Sequence, residues 1–297
     1  MSILSNPQGT PERVWSLVAG LSAYGGKTSR SAYDGLLNPG YIRDGEAVRA
    51  ASSLAANAHG AALSLNLVEA GREQATLKID LPSSFTGFSD VVHDRLIALS
   101  AGDIDAPILE AYAWMAAESD KQGGLEWIYQ LGGPEFADLA NSALVAVDAT
   151  GNGMNSTKLA PWRRWLAFLG LGITMPNDRN SPDYPSPAKR IVRELKRSEC
   201  DRNSPLKANE FVALLAQRMP YLDRGHLFSQ ACQRIGHSPL SSRLSPLLSA
   251  ALRDLHDGAA LRLVPSGDAA DRVRLSEDSA HPIDAFTTVV LFPGESV

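Results

Sequence analysis

The sequence predicts a mainly α-helical protein with small β-hairpins, built from tandem winged helix-turn-helix modules that a helical middle domain joins. Three observations predict it: apolar residues recur at helical spacing over most of the chain, two stretches alternate like hairpin strands, and glycine or proline separates the segments. The 297 residues have room for one large domain or several small ones. We expect four domains, at 1–80, 81–150, 151–204 and 205–297.

The N-terminal module has the element order of a winged helix-turn-helix. Thr10 and Pro11 suit the start of a first helix, and a second short helix follows it. A third helix is expected from about Glu46 into the early sixties, with Asp44 as its cap. Two strands separated by a turn at Gly71 come next and form the predicted wing.

The third helix is the element that enters the major groove in DNA-binding members of this fold class. Its outward stripe is predicted to be Arg49, Ser53 and Asn57, at i, i+4 and i+8, within reach of phosphates or base edges. A solvated face explains the stripe equally well, because residues 1–80 carry 7 Lys/Arg against 7 Asp/Glu.

Charge is unevenly divided between the middle of the chain and the part that follows. Residues 81–150 hold 2 Lys/Arg and 11 Asp/Glu, whereas residues 151–202 hold 10 and 5. The acidic segment reads as a set of helices whose carboxylates match no metal-ligand spacing. We therefore interpret it as a surface that faces protein partners.

The basic segment contains an amphipathic helix that begins after Ser186 and Pro187. The cations on and beside one of its faces are Lys189, Arg190, Arg193, Lys196 and Arg197. Such a face can hold a DNA or RNA backbone, dock on an acidic protein surface, or remain solvated, and the sequence leaves these three readings open.

The C-terminal module repeats the order of helix, strand, wing and strand. Ser245 and Pro246 open its clearest helix and Gly258 ends it. A hairpin is predicted from 261–264 and 272–275, with one more strand in the tail. The outward helix positions are predicted to be Ser249, Arg253 and His256, and the wing cations Arg262, Arg272 and Arg274.

Catalytic and metal chemistry find little support in the sequence. Cys200, Cys232, His226 and His237 supply four zinc donors but lack the paired spacing of a zinc site. No segment orders a nucleophile, a base and an oxyanion donor. We therefore expect a non-enzymatic protein without metal or cofactor.

Three stretches resemble a known family. They are Asn6-Pro7-x-Gly9-Thr10-Pro11-Glu12-Arg13-Val14-Trp15, Trp162-x-x-Trp165-Leu166-x-Phe168-Leu169-Gly170, and the late Leu-rich helix before an Arg-bearing wing. Together they resemble DpdG-type proteins, which are accessory components of bacterial systems that place deazaguanine bases in DNA and restrict foreign DNA. The resemblance implies no catalytic residues.

These observations predict a non-catalytic DNA-binding accessory subunit of a bacterial DNA-modification or phage-defence system. The formal charge of −5 excludes a nonspecific polycation but allows a local, oriented contact with double-stranded DNA. The alternative is a protein-interaction scaffold whose winged helices assemble a helicase or nuclease complex without touching DNA. We expect a cytoplasmic protein that has protein partners from the same system and no membrane association. A homodimer is a further expectation.

Overall fold

The chain divides into two compact units, each of them built from two stretches of sequence. The computed structural model describes residues 2–36, 42–43, 46–47, 53–174, 184–198, 204–265 and 272–292. Unit 1 comprises Met1–Ala106 and Ser156–Leu169, and unit 2 comprises Pro107–Asn155 and Gly170–Val297. The division into four domains stays a prediction, since the two units do not test it. None of the helices in the described residues has the length and apolar character needed to cross a membrane.

Helices dominate both units, and the strands are short. The α-helices of the described residues are α1 (Pro11–Ala23), α2 (Arg30–Gly35), α3 (Ser53–Ser64), α4 (Phe85–Ile97), α5 (Pro107–Gln122), α6 (Trp127–Gln130), α7 (Gly133–Asn141), α8 (Val145–Thr150), α9 (Ser156–Leu169), α10 (Ala188–Arg197), α11 (Ala208–Arg218), α12 (His226–Arg234) and α13 (Pro246–Asp257). The strands are β1 (Lys27–Ser29), β2 (Ile42–Arg43), β3 (Glu46–Ala47), β4 (Val68–Ala70), β5 (Gln74–Leu77), β6 (Gly172–Ile173), β7 (Tyr184–Pro185), β8 (Leu206–Lys207), β9 (Leu261–Val264), β10 (Val273–Arg274), β11 (Ala285–Phe286) and β12 (Thr288–Leu291). The described strands pair antiparallel, which confirms the predicted class of a mainly helical protein with small hairpins.

Unit 1 contains a three-stranded sheet in the order β1-β5-β4, beside α1, α2 and α3. Helix α1 buries Val14, Leu17, Val18 and Leu21, which recur at the spacing of one helix side, and Pro11 at its start. The predicted start of the third helix at Glu46 is wrong. Glu46 belongs to β3, which pairs with β2, so that the helix is seen only from the start of α3.

The N-terminal segment of unit 1 lies directly on α3. A Cβ atom built at Gly9 would stand 2.5 Å from the main-chain oxygen of Asn57, so only glycine allows this approach. The buried carboxylate of Asp105 holds the same segment by accepting hydrogen bonds from Ser2 Oγ and the Ile3 N–H, both at 2.8 Å. Asp105 also accepts one from Ser64 Oγ at the end of α3.

Unit 2 is organised around α5, which is buried along almost its whole length. Of its 16 residues, 13 are buried, because apolar and small residues occur on every side of the helix. Helices α7, α8, α12 and α13 contact it. A helix with this pattern forms the centre of a core, so α5 supplies the rigid support for the other elements of unit 2.

The strands of unit 2 pair differently from the prediction. The sheet order is β8-β12-β9, while β10 pairs with β11. The predicted hairpin between 261–264 and 272–275 is therefore wrong, and the tail strand β12 takes the place beside β9. Local alternation identified the strands, but pairing across some 25 residues is set by tertiary packing that alternation does not encode.

Candidate nucleic-acid interface

Helix α3 presents less of the predicted stripe than its spacing indicates. Ser53 is exposed at the first position of the helix, and Arg49 lies outside the described residues. Asn57 is used internally: its Oδ1 accepts the Gln8 N–H at 3.1 Å, and its Nδ2 donates to the Ser53 carbonyl at 2.9 Å. Leu54 and Leu63, 38% and 40% exposed, are the large side chains that this helix leaves at the surface.

The centre of the predicted basic helix, α10, is an ion-pair cluster around a buried glutamate. Glu194 is 2% exposed and accepts from Arg190 Nη1 at 3.1 Å, Arg197 Nη1 at 2.8 Å and Arg218 Nε at 2.8 Å. Arg190 is itself fully buried, which contradicts its predicted place on an exposed basic face. A carboxylate bound by several guanidinium groups lowers the local positive field, so this helix is a weaker DNA ligand than its sequence indicated.

The cations of α10 differ in their exposure. Lys189 and Lys196 are exposed, Arg193 is half-buried, and the side chain of Arg197 is 29% exposed while it contacts Glu194. The surface contribution of the helix is therefore carried mainly by two lysines.

Helix α13 does not expose the residues predicted for its outward face. Ser249 is fully buried and Arg253 is 5% exposed. Arg253 Nη2 donates to the carbonyls of Ser276 at 2.7 Å and Ile283 at 3.1 Å. Burial lowers the pKa of its guanidinium, an effect that Asp278 and Asp284 oppose. His256 is half-buried, and its Nδ1 accepts the Leu263 N–H at 3.1 Å.

The predicted placement of α13 was therefore wrong. Its polar side chains satisfy main-chain groups of the strands and loops beside it, because eight of its residues are buried. This helix is part of the core of unit 2 and offers no recognition face.

The three predicted wing arginines are all exposed, but they do not share one hairpin, and Arg272 directly precedes β10. Arg262 lies on β9 and Arg274 on β10. Arg272 forms an exposed ion pair with Asp284 at 3.3 Å. Exposed pairs of this kind are weak, so Arg272 can exchange its partner for a phosphate at small cost.

The outer face of the sheet β8-β12-β9 carries two cations. Lys207 lies opposite Thr288, and Arg262 lies opposite Val290. These side chains share the face that alternates with the buried Leu261, and both cations are exposed. None of the ten residues of the three strands is acidic. On ordinary strand spacings the two Cα atoms are about 12 Å apart, far enough to contact two separate phosphate groups.

The outer face of the unit 1 sheet is more mixed. Lys27 lies opposite Thr76, which in turn lies opposite Glu69. Glu69 also forms an ion pair with Lys78 at 3.1 Å, and Arg72 is exposed in the turn between β4 and β5. This face therefore mixes both charges, and at the tip of the hairpin Glu73 directly follows Arg72.

Sequence reasoning missed Lys27, Arg72 and Lys207. A signal was present for Arg72, because it directly follows the turn residue Gly71 in the predicted wing. No comparable signal existed for Lys207, whose place on a sheet depends on pairing with the distant strand β12.

Of the residues considered for zinc in the described part of the chain, Cys232 and His237 have internal contacts, and His226 is at the surface. Cys232 is buried, and burial raises the pKa of its thiol to about 12, which opposes the thiolate that zinc needs. His237 Nε2 lies 2.7 Å from Asp120 Oδ2, and His226 is exposed at the start of α12. Cys200 lies outside the described residues.

A buried carboxylate fixes the start of α13. Asp223 accepts hydrogen bonds from the Ser245 N–H at 2.6 Å and from Ser245 Oγ at 2.7 Å, and Ser245 Oγ caps the Leu248 N–H. Burial raises the pKa of Asp223 to about 6, although both hydrogen bonds from Ser245 oppose the shift. The group is thus a structural anchor that titrates in mildly acidic solution.

Comparison with known proteins identifies the family of the chain. No curated protein and no solved structure matches it. A family model described as DpdG-like matches residues 1–269, which is most of the 297 residues, and this confirms the resemblance of the sequence motifs. The chain belongs to the DpdG-like family.

Proposed function

We propose that this protein is a non-catalytic DNA-binding accessory subunit of a bacterial deazaguanine DNA-modification system. Family membership supports the system, because the DpdG-type proteins that the sequence resembles are accessory components of it. The contact with DNA is proposed to be made with the phosphate backbone, through cations on sheets and hairpins rather than through a helix in the major groove.

The topology of unit 1 supports a winged helix-turn-helix. The order α1, β1, α2, α3, β4, β5 and the sheet order β1-β5-β4 are similar to those of this fold, in which the hairpin after the third helix is the wing. The short pair β2 and β3 is an addition between α2 and α3. Unit 2 has a related order: β8 precedes α11, α12 and α13, then β9 and β12 follow, and the first strand again pairs with the last.

The observation that carries the proposal is the outer face of the sheet β8-β12-β9. Its exposed Lys207 and Arg262 stand on a rigid sheet beside Thr288. Phosphate contacts from such cations release counterions and supply affinity without base specificity. Glu194 offsets part of the charge of its three arginine partners, and Arg190 and Arg253 are buried. The proposal therefore rests on the sheet face, where both cations are exposed.

Fluorescence anisotropy of a labelled DNA duplex, measured at several salt concentrations, tests the proposal. We expect binding at low salt, and we expect the double variant Lys207→Gln/Arg262→Gln to flatten the plot of log K against log salt by about two units. Arg164→Gln, which removes an exposed cation from α9, is the matched control and leaves the slope unchanged. Absence of duplex binding at low salt, or an unchanged slope in the double variant, contradicts the proposal.

A second candidate is a protein-interaction scaffold, and the surface of α3 favours it. Leu54 and Leu63 are exposed on a helix whose sequence from Ser53 to Ser64 contains no Asp, Glu, Lys or Arg. Because nine residues separate them, Leu54 and Leu63 lie on opposite sides of the helix, and the candidate contact is the side that carries Leu63. An uncharged helix surface with an exposed leucine is a poor partner for phosphate but a suitable one for an apolar protein groove.

Size-exclusion chromatography with individually purified proteins of the same system distinguishes this candidate. Leu63→Glu places a charge on the face and is expected to abolish co-elution, whereas the more conservative Leu63→Met retains it. If co-elution survives the charged variant while duplex binding is present, the scaffold function through α3 is rejected.

A further inference from the structure

Unit 2 contains a cleft between α5, α6, α7 and the end of α12 that the proposed DNA contact does not use. Its volume is about 490 Å³, within the range of sites for small ligands. Its lining includes Trp114, Lys121, Gln122, Trp127, Gln130 and Arg234. We call it the tryptophan cleft.

The aromatic wall of the tryptophan cleft is rigid. Trp114 is 1% exposed and meets Trp127 edge to face, with ring centroids 5.4 Å apart. Trp127 stacks parallel on Phe136, and its Nε1 donates to Ser119 Oγ at 3.1 Å. An indole fixed on one side by another ring and at its edge by a hydrogen bond offers a preformed planar surface, on which a ligand ring packs with little loss of side-chain entropy.

The polar groups of the tryptophan cleft match the edge of a nitrogen heterocycle. Gln122 and Gln130 each have a carboxamide that both donates and accepts, as do the edges of nucleobases. Gln122 Nε2 donates to Glu118 Oε1 at 2.7 Å, which orients that amide on its helix.

The charge of the tryptophan cleft favours an anionic substituent. Lys121 and Arg234 are its cations, and Glu118 is the acid that lines it. Glu110 is a buried carboxyl one turn before Trp114 on the same side of α5. Burial raises the pKa of Glu110, and the charge of Arg234 opposes this shift. Glu110 Oε2 accepts the Ala146 N–H at 3.1 Å, while Oε1 has no hydrogen-bond partner within the described residues. Because burial disfavours the charged form of Glu110, Arg234 and Lys121 keep a positive field at this end of the cleft.

We propose that the tryptophan cleft binds one unpaired nucleotide, with the base against the tryptophan wall and the phosphate near Arg234 and Lys121. The ligand chemistry is a planar heterocycle joined to a phosphate. It has two sources, a free mononucleotide and an unpaired nucleotide within a DNA strand. The site lies on a surface separate in sequence from Lys207 and Arg262, and it stands or falls independently of the duplex contact.

Equilibrium binding of nucleoside monophosphates, followed by tryptophan fluorescence and by calorimetry, tests the proposal. We expect all four common bases to bind, and we expect the matching nucleosides to bind about tenfold more weakly, since a charged hydrogen bond is lost. Arg234→Gln is expected to remove this difference between nucleotide and nucleoside. Gln130→Ala is expected to change the preference among the bases. Inorganic phosphate is the probe for binding by charge alone.

The control variant is Trp15→Phe, which changes a tryptophan of unit 1 and leaves ligand affinity at the wild-type value. Trp127→Leu is expected to abolish base-dependent binding, and its circular dichroism establishes whether it folds. Should it fail to fold, the Arg234→Gln comparison still decides. Equal affinities for nucleotide, nucleoside and phosphate, or wild-type affinities in both Arg234→Gln and Gln130→Ala, overturn the proposal.

Competition between a mononucleotide and a short single strand separates the two sources. If the ligand is part of a strand, an oligonucleotide displaces the mononucleotide and an abasic strand of equal length does not. If the ligand is free, the mononucleotide binds more tightly than the strand. Loss of duplex binding in Lys207→Gln/Arg262→Gln with intact mononucleotide binding leaves this proposal standing.

Discussion

The two three-stranded sheets seen in the described residues share a strand order but differ in the helix that precedes their second strand. In unit 1 that helix is α3, in which three of twelve residues are buried. In unit 2 it is α13, in which eight of twelve residues are buried. The same order of elements thus leaves one helix at the surface and places the other in the core, so topology alone does not locate a recognition face.

Composition explains the difference. Helix α3 consists largely of alanine, serine and glycine and buries Ala58, Ala61 and Ala62, which anchor only a narrow stripe. Helix α13 contributes several leucines to the core, Leu248 and Leu252 among them. Each fully buried leucine removes far more apolar surface from water than an alanine does, so α13 is surrounded on more sides. In unit 2 the outer face of the sheet, rather than the helix, is exposed.

The largest predicted effect concerns the buried cation of α13. Arg253→Met leaves the carbonyls of Ser276 and Ile283 without their donor and should reduce the free energy of unfolding by about 4 kcal/mol. Denaturant unfolding followed by circular dichroism measures it. Arg262→Met, on the exposed outer face of β9, is the matched control and should change the free energy of unfolding by less than about 0.5 kcal/mol. A similarly small loss of unfolding free energy in both variants would show that Arg253 reaches solvent. Arg253 would then again be a candidate for contact with DNA.

The next prediction contrasts one leucine from each helix. Leu252 is fully buried in α13, whereas Leu63 is 40% exposed on α3. Leu252→Ala should cost about 3 kcal/mol of unfolding free energy through lost burial and a residual cavity, and Leu63→Ala well under half of that. Thermal and urea unfolding of both variants provide the comparison. Comparable losses would mean that α3 is covered in solution, for example by a partner or a second copy.

Much of the fold could be predicted from the sequence, because it is encoded locally. The first helix was expected to start at Thr10 and Pro11, and the clearest late helix at Ser245 and Pro246; α1 and α13 begin at these positions. Pairing and burial could not be predicted in the same way. Whether Arg253 points outward, or β9 pairs with β12, depends on residues tens of positions away.

The candidate interface follows the same division. The predicted helix that carries the basic residues is present as α10. The predicted exposure of its cations did not take account of Glu194, which lies among them in sequence and is buried with three arginine partners. A helical stripe identifies neighbours on one element only. It does not show that a cation can be buried by pairing with a carboxylate at i+4, as Arg190 is with Glu194.

A third prediction uses the carboxylate that anchors α13. The folded protein holds the proton of Asp223 more tightly than the unfolded chain, because its pKa is raised from 3.8 to about 6. Its contribution to stability is therefore complete below about pH 4 and is lost as the pH rises through about 6, a change of about 2 to 3 kcal/mol. Asp223→Asn keeps the shape of the protonated group and should abolish this part of the pH dependence.

Urea unfolding between about pH 4 and pH 7.5 measures the difference between wild type and variant. Asp138→Asn, at an exposed position of α7, is the control and should follow the wild-type profile. If Asp223→Asn also follows it, the carboxylate is solvated and the contrast between the deep anchor of α13 and the surface position of α3 is smaller than the structure indicates.

The smallest predicted effect compares the two sheets as proposed DNA contacts. Lys207→Gln/Arg262→Gln should weaken duplex binding at low salt by about tenfold, because no acid on these strands competes with phosphate for the two cations. Lys27→Gln/Arg72→Gln removes the same charge from unit 1 but should cost only about threefold, because Glu69 on that sheet face already opposes the positive potential.

Anisotropy titrations of both double variants, at equal net charge, make this comparison independent of overall electrostatics. An equal loss in both variants would indicate that DNA senses only the total charge of the protein and not an oriented face. A larger loss in unit 1 would transfer the contact to the hairpin tip at Arg72 and, with it, to the proposed winged helix whose helix α3 remains at the surface. The ratio of the two losses therefore decides which of the two similar sheets serves the DNA.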